Sequence, residues 1–261
     1  MSSVVVIPAR YGSTRFPGKP LAPLKGIPVI QHVYQNSRNS RHAADIIVAT
    51  DNGLIYDAVR SFGGTAVMTS PDHISGTDRI AEALHLLGRE YDIIVNVQGD
   101  EPLIKPEMID AVISVLDDET AAIGTLVRKI DNADEIFDSN VVKAVFDEHG
   151  YALYFSRAPI PYHRDAWKNR EAGMGAASPD ASAAAPHDCF KHIGIYSYRR
   201  EALLRLTSLA PSRLEQIEKL EQLRALENGL RIKVRETDFE TFGVDTPKDL
   251  ERIEKWLNLS L

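Results

Sequence analysis

The first hundred residues alternate between short apolar runs and segments with a helical spacing of apolar positions. Four runs rich in β-branched residues predict buried strands, at 4–7, 45–51, 65–69 and 92–98. Apolar positions three and four residues apart predict helices between these strands, at 27–40, 54–62 and 77–87. Strands that alternate with helices in this way are joined by right-handed crossovers. The pattern therefore predicts an α/β fold with a mostly parallel sheet flanked by helices.

The pattern changes beyond residue 103. We expect helices at 106–116, 213–227 and 249–257, and strands at 121–129, 192–198 and 232–234. Two further runs, 141–146 and 152–155, flank a turn-forming segment and predict a hairpin. The hairpin and the long loops indicate a smaller antiparallel part on one edge of the sheet. Segment 173–186 is low in complexity and predicts a mobile surface loop.

Length and composition describe an ordinary globular chain. Its 261 residues suffice for one large domain, and we divide them into a parallel core at 1–120, an antiparallel part at 121–235 and a return to the core at 236–261. Cys189 is the only cysteine, which excludes an internal disulfide and favours a reducing compartment. No secretory leader pattern precedes the first strand, and no apolar run approaches the ~20 residues of a membrane span. We therefore expect a soluble cytoplasmic protein without a membrane partner.

A basic loop follows the first strand. It contains Gly12 and Gly18, with Arg10, Arg15 and Lys19 spaced along it, and the helix after it is entered at a proline. Backbone N–H groups, a helix N-terminus and cations together bind phosphate. The spacing differs from a Walker A loop, because five residues separate the glycines and a proline follows Lys19. The dinucleotide fingerprint G-x-G-x-x-G is absent as well.

The charge distribution supports a small anionic ligand. The chain has 30 basic and 37 acidic residues, yet residues 1–44 hold six basic residues and no acidic one. The remainder therefore carries 24 basic and 37 acidic residues, a net charge of −13. Nucleic-acid binding requires an extended basic face, so one small polyanion is the better partner. The alternative is that the loop is simply a solvated basic segment.

Two carboxylates are candidate magnesium ligands. Asp100 follows the strand at 92–98, at the edge where ligands of parallel sheets bind, and Asp245 precedes Thr-Pro near the last helix. Magnesium prefers carboxylate oxygens combined with phosphate oxygens. A role as the N-cap of the last helix is an equally good explanation of Asp245, since Asp before Thr-Pro is an ordinary helix start.

Other polar residues carry weaker signals. Arg79 and Arg157 stand next to turns and offer a bidentate fork to a carboxylate, although each alone is more often a surface ion pair. His192 lacks metal-spaced partners, so core packing is the simpler reading for it and for Tyr196. The chain contains no G-x-S-x-G motif and no catalytic-cysteine signature around Cys189.

Eight stretches in order along the chain carry a family resemblance. They are IPARYGSTRFPGKPL, IIVATD, SGTDRIAEA, VNVQGDEP, YALYFSRAPIP, KHIGIYSYR, LEQIEKLEQLR and FGVDTPKDLERI. Together they resemble the 3-deoxy-manno-octulosonate cytidylyltransferases, or CMP-Kdo synthetases, within the sugar nucleotidyltransferases. The resemblance implies a Rossmann-like nucleotidyltransferase sheet and Mg²⁺-assisted transfer of CMP from CTP to Kdo, for lipopolysaccharide synthesis in the bacterial cytoplasm. It also implies a homodimer formed through the antiparallel part.

The resemblance also assigns roles to residues of this sequence. The metal ligands would be Asp100 and Asp245, which favours the metal role of Asp245 over its role as a helix cap. The nucleotide would be bound by Pro8, Ala9, Arg10, Ser13, Thr14, Arg15, Lys19, Ser75 and Gly76. The sugar acid would be surrounded by Arg79, Gln98, Arg157, His192, Tyr196, Glu221 and Gln222.

Three readings of the function stay open at this point. The first is a Kdo cytidylyltransferase. The second keeps the reaction but changes the acceptor to 8-amino-Kdo or another acidic sugar, such as a sialic acid. The third is a catalytically silent nucleotide-binding module. Segment 173–186 departs from the resemblance because it is longer than the family pattern, and it is either a lid or inert.

Overall fold

The structure is a computed structural model that describes residues 1–13, 15–164, 167 and 188–259. Thr14 and the predicted loop 173–186 lie outside the described residues. The first half of the chain alternates strands and helices as the apolar pattern predicts. Its elements are β1 (Ser3–Ala9), β2 (Pro23–Leu24), β3 (Ile27–Pro28), α1 (Val29–Arg38), β4 (Asp45–Thr50), α2 (Gly53–Ser61), β5 (Ala66–Met68), α3 (Gly76–Leu87) and β6 (Ile93–Asn96).

The second half adds the remaining helices and strands. They are α4 (Pro106–Ser114), β7 (Ile123–Lys129), α5 (Ala133–Phe137), β8 (Lys143–Phe146), β9 (Ala152–Ser156), β10 (Phe190–Arg199), α6 (Arg200–Ser208), α7 (Arg213–Glu218), α8 (Gln222–Glu227), β11 (Ile232–Glu236) and α9 (Pro247–Leu259). Two of these, α5 and α6, have no counterpart among the helices that the sequence predicts.

Nine strands form one sheet, which confirms the predicted fold class. Its main path runs β11-β7-β10-β6-β1-β4-β5, and β8 joins β10 while β9 joins β8. The pairs of β1 with β4 and β6, of β4 with β5, and of β11 with β7 are parallel. Antiparallel pairing is not confined to an edge, however, because β10 runs antiparallel between β6 and β7 in the middle of the sheet. The division into 1–120, 121–235 and 236–261 stays a prediction.

Strand β1 lies at the centre of the parallel half. Its residues Val4 to Ile7 are all completely buried. Val5 and Ile7 pack into the apolar core on one face of the sheet, and Val4 and Val6 pack into the core on the other. A parallel strand covered on both faces has no polar side, which explains the unbroken apolar run. Among the described residues, no helix is long and apolar enough to cross a membrane.

The predicted single helix at 213–227 is wrong, because the chain breaks between α7 and α8. Lys219 ends α7 in the left-handed conformation, with φ 55°. The apolar positions 214, 217, 220, 223 and 226 repeat every three residues. With 3.6 residues per turn, such a repeat drifts around a straight helix instead of keeping one face. The break allows Leu220 and Leu223 to be buried together while Ile217 stays 65% exposed.

Candidate active site

A cleft of about 200 Å³ opens at the carboxyl ends of β1 and β6, which we call the first cleft. Parallel neighbours end at the same edge of a sheet, so residues that follow these two strands meet there. The start of α3 completes the wall. The lining residues are Pro8, Ala9, Arg10, Lys19, Pro20, His73, Ile74, Ser75, Gly76, Arg79, Gln98, Gly99 and Asp100.

Two glycines allow the backbones around the first cleft to pack closely. A Cβ at Gly99 would lie 2.8 Å from the carbonyl oxygen of Pro8, and one at Gly76 would lie 3.2 Å from the ring of Pro8. Gly76 begins α3, whose N-cap Ser75 accepts a hydrogen bond from the backbone of Asp78 (3.1 Å). The first N–H groups of a helix have no intrahelical partner and favour an anion. The first cleft therefore combines a helix N-terminus with the Arg10 and Lys19 cations.

Lys19 joins the two candidate metal ligands. Its Nζ donates to Asp100 Oδ2 and lies 3.2 Å from Asp245 Oδ1. Arg15 Nη2 lies 3.1 Å from the same oxygen of Asp245. Asp245 comes from 226 residues further along the chain than Lys19. The structure therefore brings the basic loop and both carboxylates together, as the sequence predicts.

A backbone bond holds the Asp245 segment against the first cleft. The N–H of Val244 donates to the carbonyl oxygen of Asp100 (2.8 Å), and the Val244 side chain is fully buried in the core. The backbone of one carboxylate residue thus anchors the segment that carries the other. This backbone bond, which we call the Val244 tether, holds the two carboxylate residues close together at the edge of the sheet.

The helix cap beside Asp245 is made by other residues. Asp249 accepts hydrogen bonds from the backbone (2.8 Å) and the hydroxyl (2.8 Å) of Thr246, and the Thr246 hydroxyl accepts in return from the backbone of Asp249 (3.4 Å). This reciprocal pattern is a capping box at the start of α9. The Asp245 side chain is therefore not needed as the cap, and its carboxylate contacts Lys19 and Arg15 instead.

The donor set fits a magnesium ion that is shared with a phosphate ligand. Asp100 and Asp245 present oxygens to one common point, where the Lys19 ammonium now lies. No group of three or more acidic, histidine or cysteine side chains suited to a metal occurs among the described residues. Magnesium is commonly held by one or two carboxylates, with substrate phosphates and water completing six oxygens. Asp100 and Asp245 have the chemistry for that role.

A second cleft of about 270 Å³ adjoins the first. Ser75, Gly76 and Gln98 line both clefts. The other lining residues of the second cleft are Thr77, Asn96, Ile123, Tyr196, Tyr198, Leu206, Glu221 and Gln222. Two contiguous clefts that share a wall can hold two reactants side by side.

The second cleft contains carboxylate, amide and phenol groups. Glu221 accepts a hydrogen bond from the Thr77 hydroxyl, which ties the α7–α8 region to the start of α3. Burial raises the pKa of Tyr196 and that of Tyr198 far above the usual range. Both phenols are therefore neutral hydrogen-bonding groups at physiological pH. Such groups suit the hydroxyls of a sugar.

Three predicted sugar-binding residues do not line the second cleft. Arg79 lines the first cleft, where its guanidinium binds Asp51 (2.7 Å) and the Thr69 hydroxyl (2.6 Å), and it is 3% exposed. Arg157 lines neither described cleft and lies beside the turn between α7 and α8. His192 lies behind Tyr196, with ring centroids 5.2 Å apart.

His192 is a half-buried, neutral imidazole. Its Nε2 is hydrogen-bonded to the Thr125 hydroxyl (2.9 Å), and its ring packs edge-on against Phe155. Burial lowers the pKa of His192 to about 3. These contacts match the packing role that the sequence allows for this residue, and they place it directly under the wall of the second cleft.

Two predicted loop residues lie outside the clefts. Ser13 accepts a hydrogen bond from the backbone of Phe16 (3.3 Å), and so shapes the basic loop from within. Arg15 is exposed and reaches the first cleft only through its ion pair with Asp245. Thr14 lies outside the described residues.

Sequence reasoning missed several residues at the clefts. His73 lines the first cleft, and its Nε2 lies 2.5 Å from Glu82 Oε2. Asn96 lines the second cleft, and a polar residue inside the apolar run of β6 is a signal that could have identified it. Glu101 lines neither cleft but follows Asp100 in the chain, and burial, with a smaller effect of the Asp100 charge, raises the pKa of Glu101 to about 8.

Comparison with curated proteins gives close relatives over the full chain. The sequence matches the family described as cytidylyltransferase over residues 4–232. A 3-deoxy-manno-octulosonate cytidylyltransferase from Thermodesulfovibrio yellowstonii is 51% identical over 264 residues, which cover 99% of each chain. One from Geotalea daltonii is 52% identical over 254 residues, which cover 97% of each chain.

Comparison with solved structures agrees with the comparison of sequences. A CMP:2-keto-3-deoxy-manno-octonic acid synthetase solved in complex with CTP is 41% identical, with a TM-score of 0.88 over 100% of both chains. A cytidylyltransferase from Leptospira borgpetersenii is 16% identical, with a TM-score of 0.62 over 100% of this chain and 88% of that one, and so shares the fold. The chain therefore belongs to the cytidylyltransferase family, among the 3-deoxy-manno-octulosonate cytidylyltransferases.

Proposed function

We propose that the protein transfers CMP from CTP to the anomeric hydroxyl of Kdo and releases pyrophosphate, which supplies CMP-Kdo for lipopolysaccharide synthesis. The observation that carries the proposal is the pair of contiguous clefts, one with phosphate-binding chemistry and one with sugar-binding chemistry. The two relatives at 51% and 52% identity carry the name of this activity over nearly the whole chain.

The first cleft holds the triphosphate in this mechanism. Arg10, Arg15 and Lys19 offset its negative charge, and the N-terminus of α3 adds unpaired N–H donors. Arg15 and Lys19 now pair with Asp245, so they exchange a carboxylate for phosphate when the nucleotide binds. Transfer of a nucleotidyl group needs positioning and charge neutralisation rather than a protein nucleophile.

The second cleft holds the acceptor sugar against the shared wall of Ser75, Gly76 and Gln98. The hydroxyl oxygen of the sugar forms its bond to the α-phosphorus as the bond from that phosphorus to the pyrophosphate oxygen breaks, and the hydroxyl proton passes to water. Glu221, Gln222 and the neutral phenol of Tyr196 orient the sugar hydroxyls. Arg157 and Arg79 are the cations proposed for the sugar carboxylate.

Asp100 and Asp245 would hold Mg²⁺ in this mechanism. When bound, the ion neutralises part of the triphosphate charge and orients the phosphates. The bond from the Val244 N–H to the Asp100 carbonyl oxygen keeps Asp100 and Asp245 close together. Lys19 then contributes its charge to the phosphates rather than to the two carboxylates.

The test is pyrophosphate release from CTP and Mg²⁺ with Kdo, 8-amino-Kdo and N-acetylneuraminate offered in parallel. Release with Kdo at the highest kcat/KM is the expected result. A preference for 8-amino-Kdo would keep the reaction and change the acceptor. Bound CTP without release for any sugar would leave a silent nucleotide-binding module and overturn the proposal.

We also infer that the protein works as a homodimer in the bacterial cytoplasm. Leu153 on β9 is 63% exposed and Ile217 on α7 is 65% exposed, so the antiparallel part presents apolar side chains that a second copy could cover. Light scattering at micromolar concentration tests this. The mass of one chain would contradict it.

A further inference from the structure

Several polar contacts hold the chain around Arg157. The Arg157 side chain donates from Nε to the carbonyl oxygen of Glu218 (2.8 Å) and from Nη1 to that of Ser139 (2.9 Å). Its backbone N–H donates to Glu218 Oε2 (3.0 Å), and the preceding Ser156 hydroxyl donates to Glu218 Oε1 (2.6 Å). Two bonds from different nitrogens fix the plane of the guanidinium.

A completely buried lysine holds the same segment from the other side. Lys143 is 0% exposed, and its Nζ donates to the carbonyl oxygens of Asp138 (2.8 Å), Val141 (2.5 Å) and Arg157 (2.7 Å). A lysine ammonium has three donors, so these three carbonyls satisfy it completely. The bonds join the Arg157 backbone to segment 138–141, which also provides the Ser139 carbonyl for the guanidinium.

The break between α7 and α8 supplies the remaining contact. Because Lys219 leaves the helical conformation, the Glu218 carbonyl is available to Arg157 Nε. Three residues after Glu218, Glu221 lines the second cleft. The turn at Lys219 therefore connects Glu218, which orients the Arg157 guanidinium, with Glu221 in the wall of the proposed sugar site.

Burying a lysine ammonium costs free energy. Among the described residues its hydrogen-bond partners are three carbonyl oxygens, and the Asp138 and Glu218 carboxylates offset part of that cost through their charge. Burial indeed lowers the pKa of Lys143. An apolar residue of the same length would leave three carbonyl oxygens without this donor, so the ammonium is what ties segment 138–141 to the backbone of Arg157. What Lys143 and Glu218 share is that both bind the Arg157 segment.

We propose that Lys143 and Glu218 are positioning residues that hold the Arg157 guanidinium in the orientation that receives the carboxylate of the sugar acid. The inference rests on the proposed function and adds two residues to it. Lys143 acts through the backbone of Arg157 and segment 138–141, and Glu218 acts through its carboxylate and its carbonyl group. Neither touches the substrate.

The test uses two variants and two matched controls in the full-length protein. Glu218→Gln removes an acceptor for the Arg157 backbone, and Lys143→Met removes the ammonium. Glu215→Gln changes a carboxylate on the same helix that pairs with Arg224, and Lys233→Met removes a lysine that pairs with Asp118. For each protein we would measure kcat, KM for Kdo, KM for CTP and the melting temperature.

The expected result is a split between the two substrates. Both variants should raise KM for Kdo by about ten-fold while KM for CTP stays within about two-fold, because only the carboxylate site is misaligned. The controls should lower the melting temperature without that split. With the primary amide of Kdo, which lacks the carboxylate charge, the variants and the wild type should be equally poor.

Equal losses toward Kdo and CTP, or the same split in the controls, would show a structural role and overturn the inference. If Lys143→Met and Glu218→Gln fail to fold, Ser156→Ala removes the hydroxyl that donates to Glu218 and accepts from the Ala158 N–H (3.0 Å), and it should shift KM for Kdo in the same direction. An unchanged KM for Kdo in Ser156→Ala would then refute the inference. A wild type that forms no CMP-sugar would overturn the proposed function, whereas an active wild type without the split overturns the inference alone.

Discussion

Replacing Lys19 by methionine tests the centre of the proposed active site. The Lys19 ammonium lies between Asp100 Oδ2 and Asp245 Oδ1, and its side chain is 15% exposed. Methionine keeps the length of the side chain but removes the charge. Without that charge, two carboxylates face each other at the edge of the cleft, and the triphosphate loses a cation.

The structure sets the size of the effect on stability. Oxygens that share one ammonium lie roughly 5 Å apart. Two unit charges at that distance repel by about 1 kcal/mol in water and about 3 kcal/mol at an effective dielectric constant of 20. The Asp100 and Asp245 side chains are 26% and 46% exposed, so the lower figure applies. A destabilisation of about 1 kcal/mol lowers the melting temperature of a chain of this size by about 2–4 °C.

Two assays follow from this arrangement. Turnover with saturating CTP, Kdo and Mg²⁺ should fall by at least about 100-fold in Lys19→Met, as expected when a group that stabilises developing charge is removed. Thermal melting without nucleotide should show a larger stabilisation by Mg²⁺ in Lys19→Met than in the wild type, because the ion no longer competes with the ammonium.

Lys25→Met provides a control in the nearby turn between β2 and β3. Lys25 is exposed, and its backbone N–H donates to Glu254 (3.0 Å), a bond that methionine keeps. This variant should match the wild type in both assays. Near-normal turnover of Lys19→Met at saturating CTP and Mg²⁺ would refute the reasoning.

Three further predictions concern metal binding, pH and backbone packing. Asp245→Asn should lower turnover by at least about 100-fold. Thr246→Val should instead lower the unfolding free energy by about 1 kcal/mol through the lost helix cap and leave turnover intact. Kinetics and urea denaturation separate these two effects. Burial lowers the pKa of His192 to about 3, below its unfolded value, so its contribution to stability is present near pH 7 and is lost as pH falls toward 3. The unfolding free energy of the wild type minus that of His192→Phe should therefore drop by about 2 kcal/mol from pH 7 to pH 5, and a constant difference in urea titrations would contradict this. A Cβ at Gly99 would meet a backbone carbonyl oxygen at 2.8 Å, but one at Gly12 would meet nothing within 4 Å. Gly99→Ala should thus destabilise the protein by about 1–3 kcal/mol in urea denaturation, while Gly12→Ala should not.

Much of the parallel core could be predicted because its signals are local. The apolar run of β1 reports burial on both faces of a sheet, and it needs no knowledge of distant residues. The basic loop after β1 and Asp100 after β6 were also predictable, because parallel strands end at one edge. The central position of β10 was not, since strand pairing depends on the whole topology and not on the pattern of one strand.

The α7–α8 region shows where local pattern is insufficient. Strong helix formers and regular apolar spacing predict one helix at 213–227, but burial of Leu220 and Leu223 requires a turn at Lys219. Propensity is worth only a few tenths of a kcal/mol per residue, whereas burying a leucine is worth about 2 kcal/mol, so packing decides the outcome.

Arg79 and Arg157 show that sequence alone does not give the contacts of a candidate site residue. Sequence identified both as arginines suited to a carboxylate, but it could not state what their guanidinium groups contact. Tertiary structure pairs Arg79 with Asp51 in the first cleft and sets Arg157 between Glu218 and Ser139. Those partners lie 28 residues from Arg79, and 61 and 18 residues from Arg157.

The sequence by itself predicted the fold class, a basic loop with the chemistry of a phosphate site and, by resemblance, the family. Apolar periodicity, turn residues and charge are properties of neighbouring positions, so they can be recognised along the chain. Only the tertiary structure shows that the Asp245 side chain is not needed as a helix cap, because Thr246 and Asp249 form the cap without it and the Val244 bond to Asp100 holds Asp245 at the first cleft. Convergence of distant side chains is a consequence of packing, and no local pattern contains it.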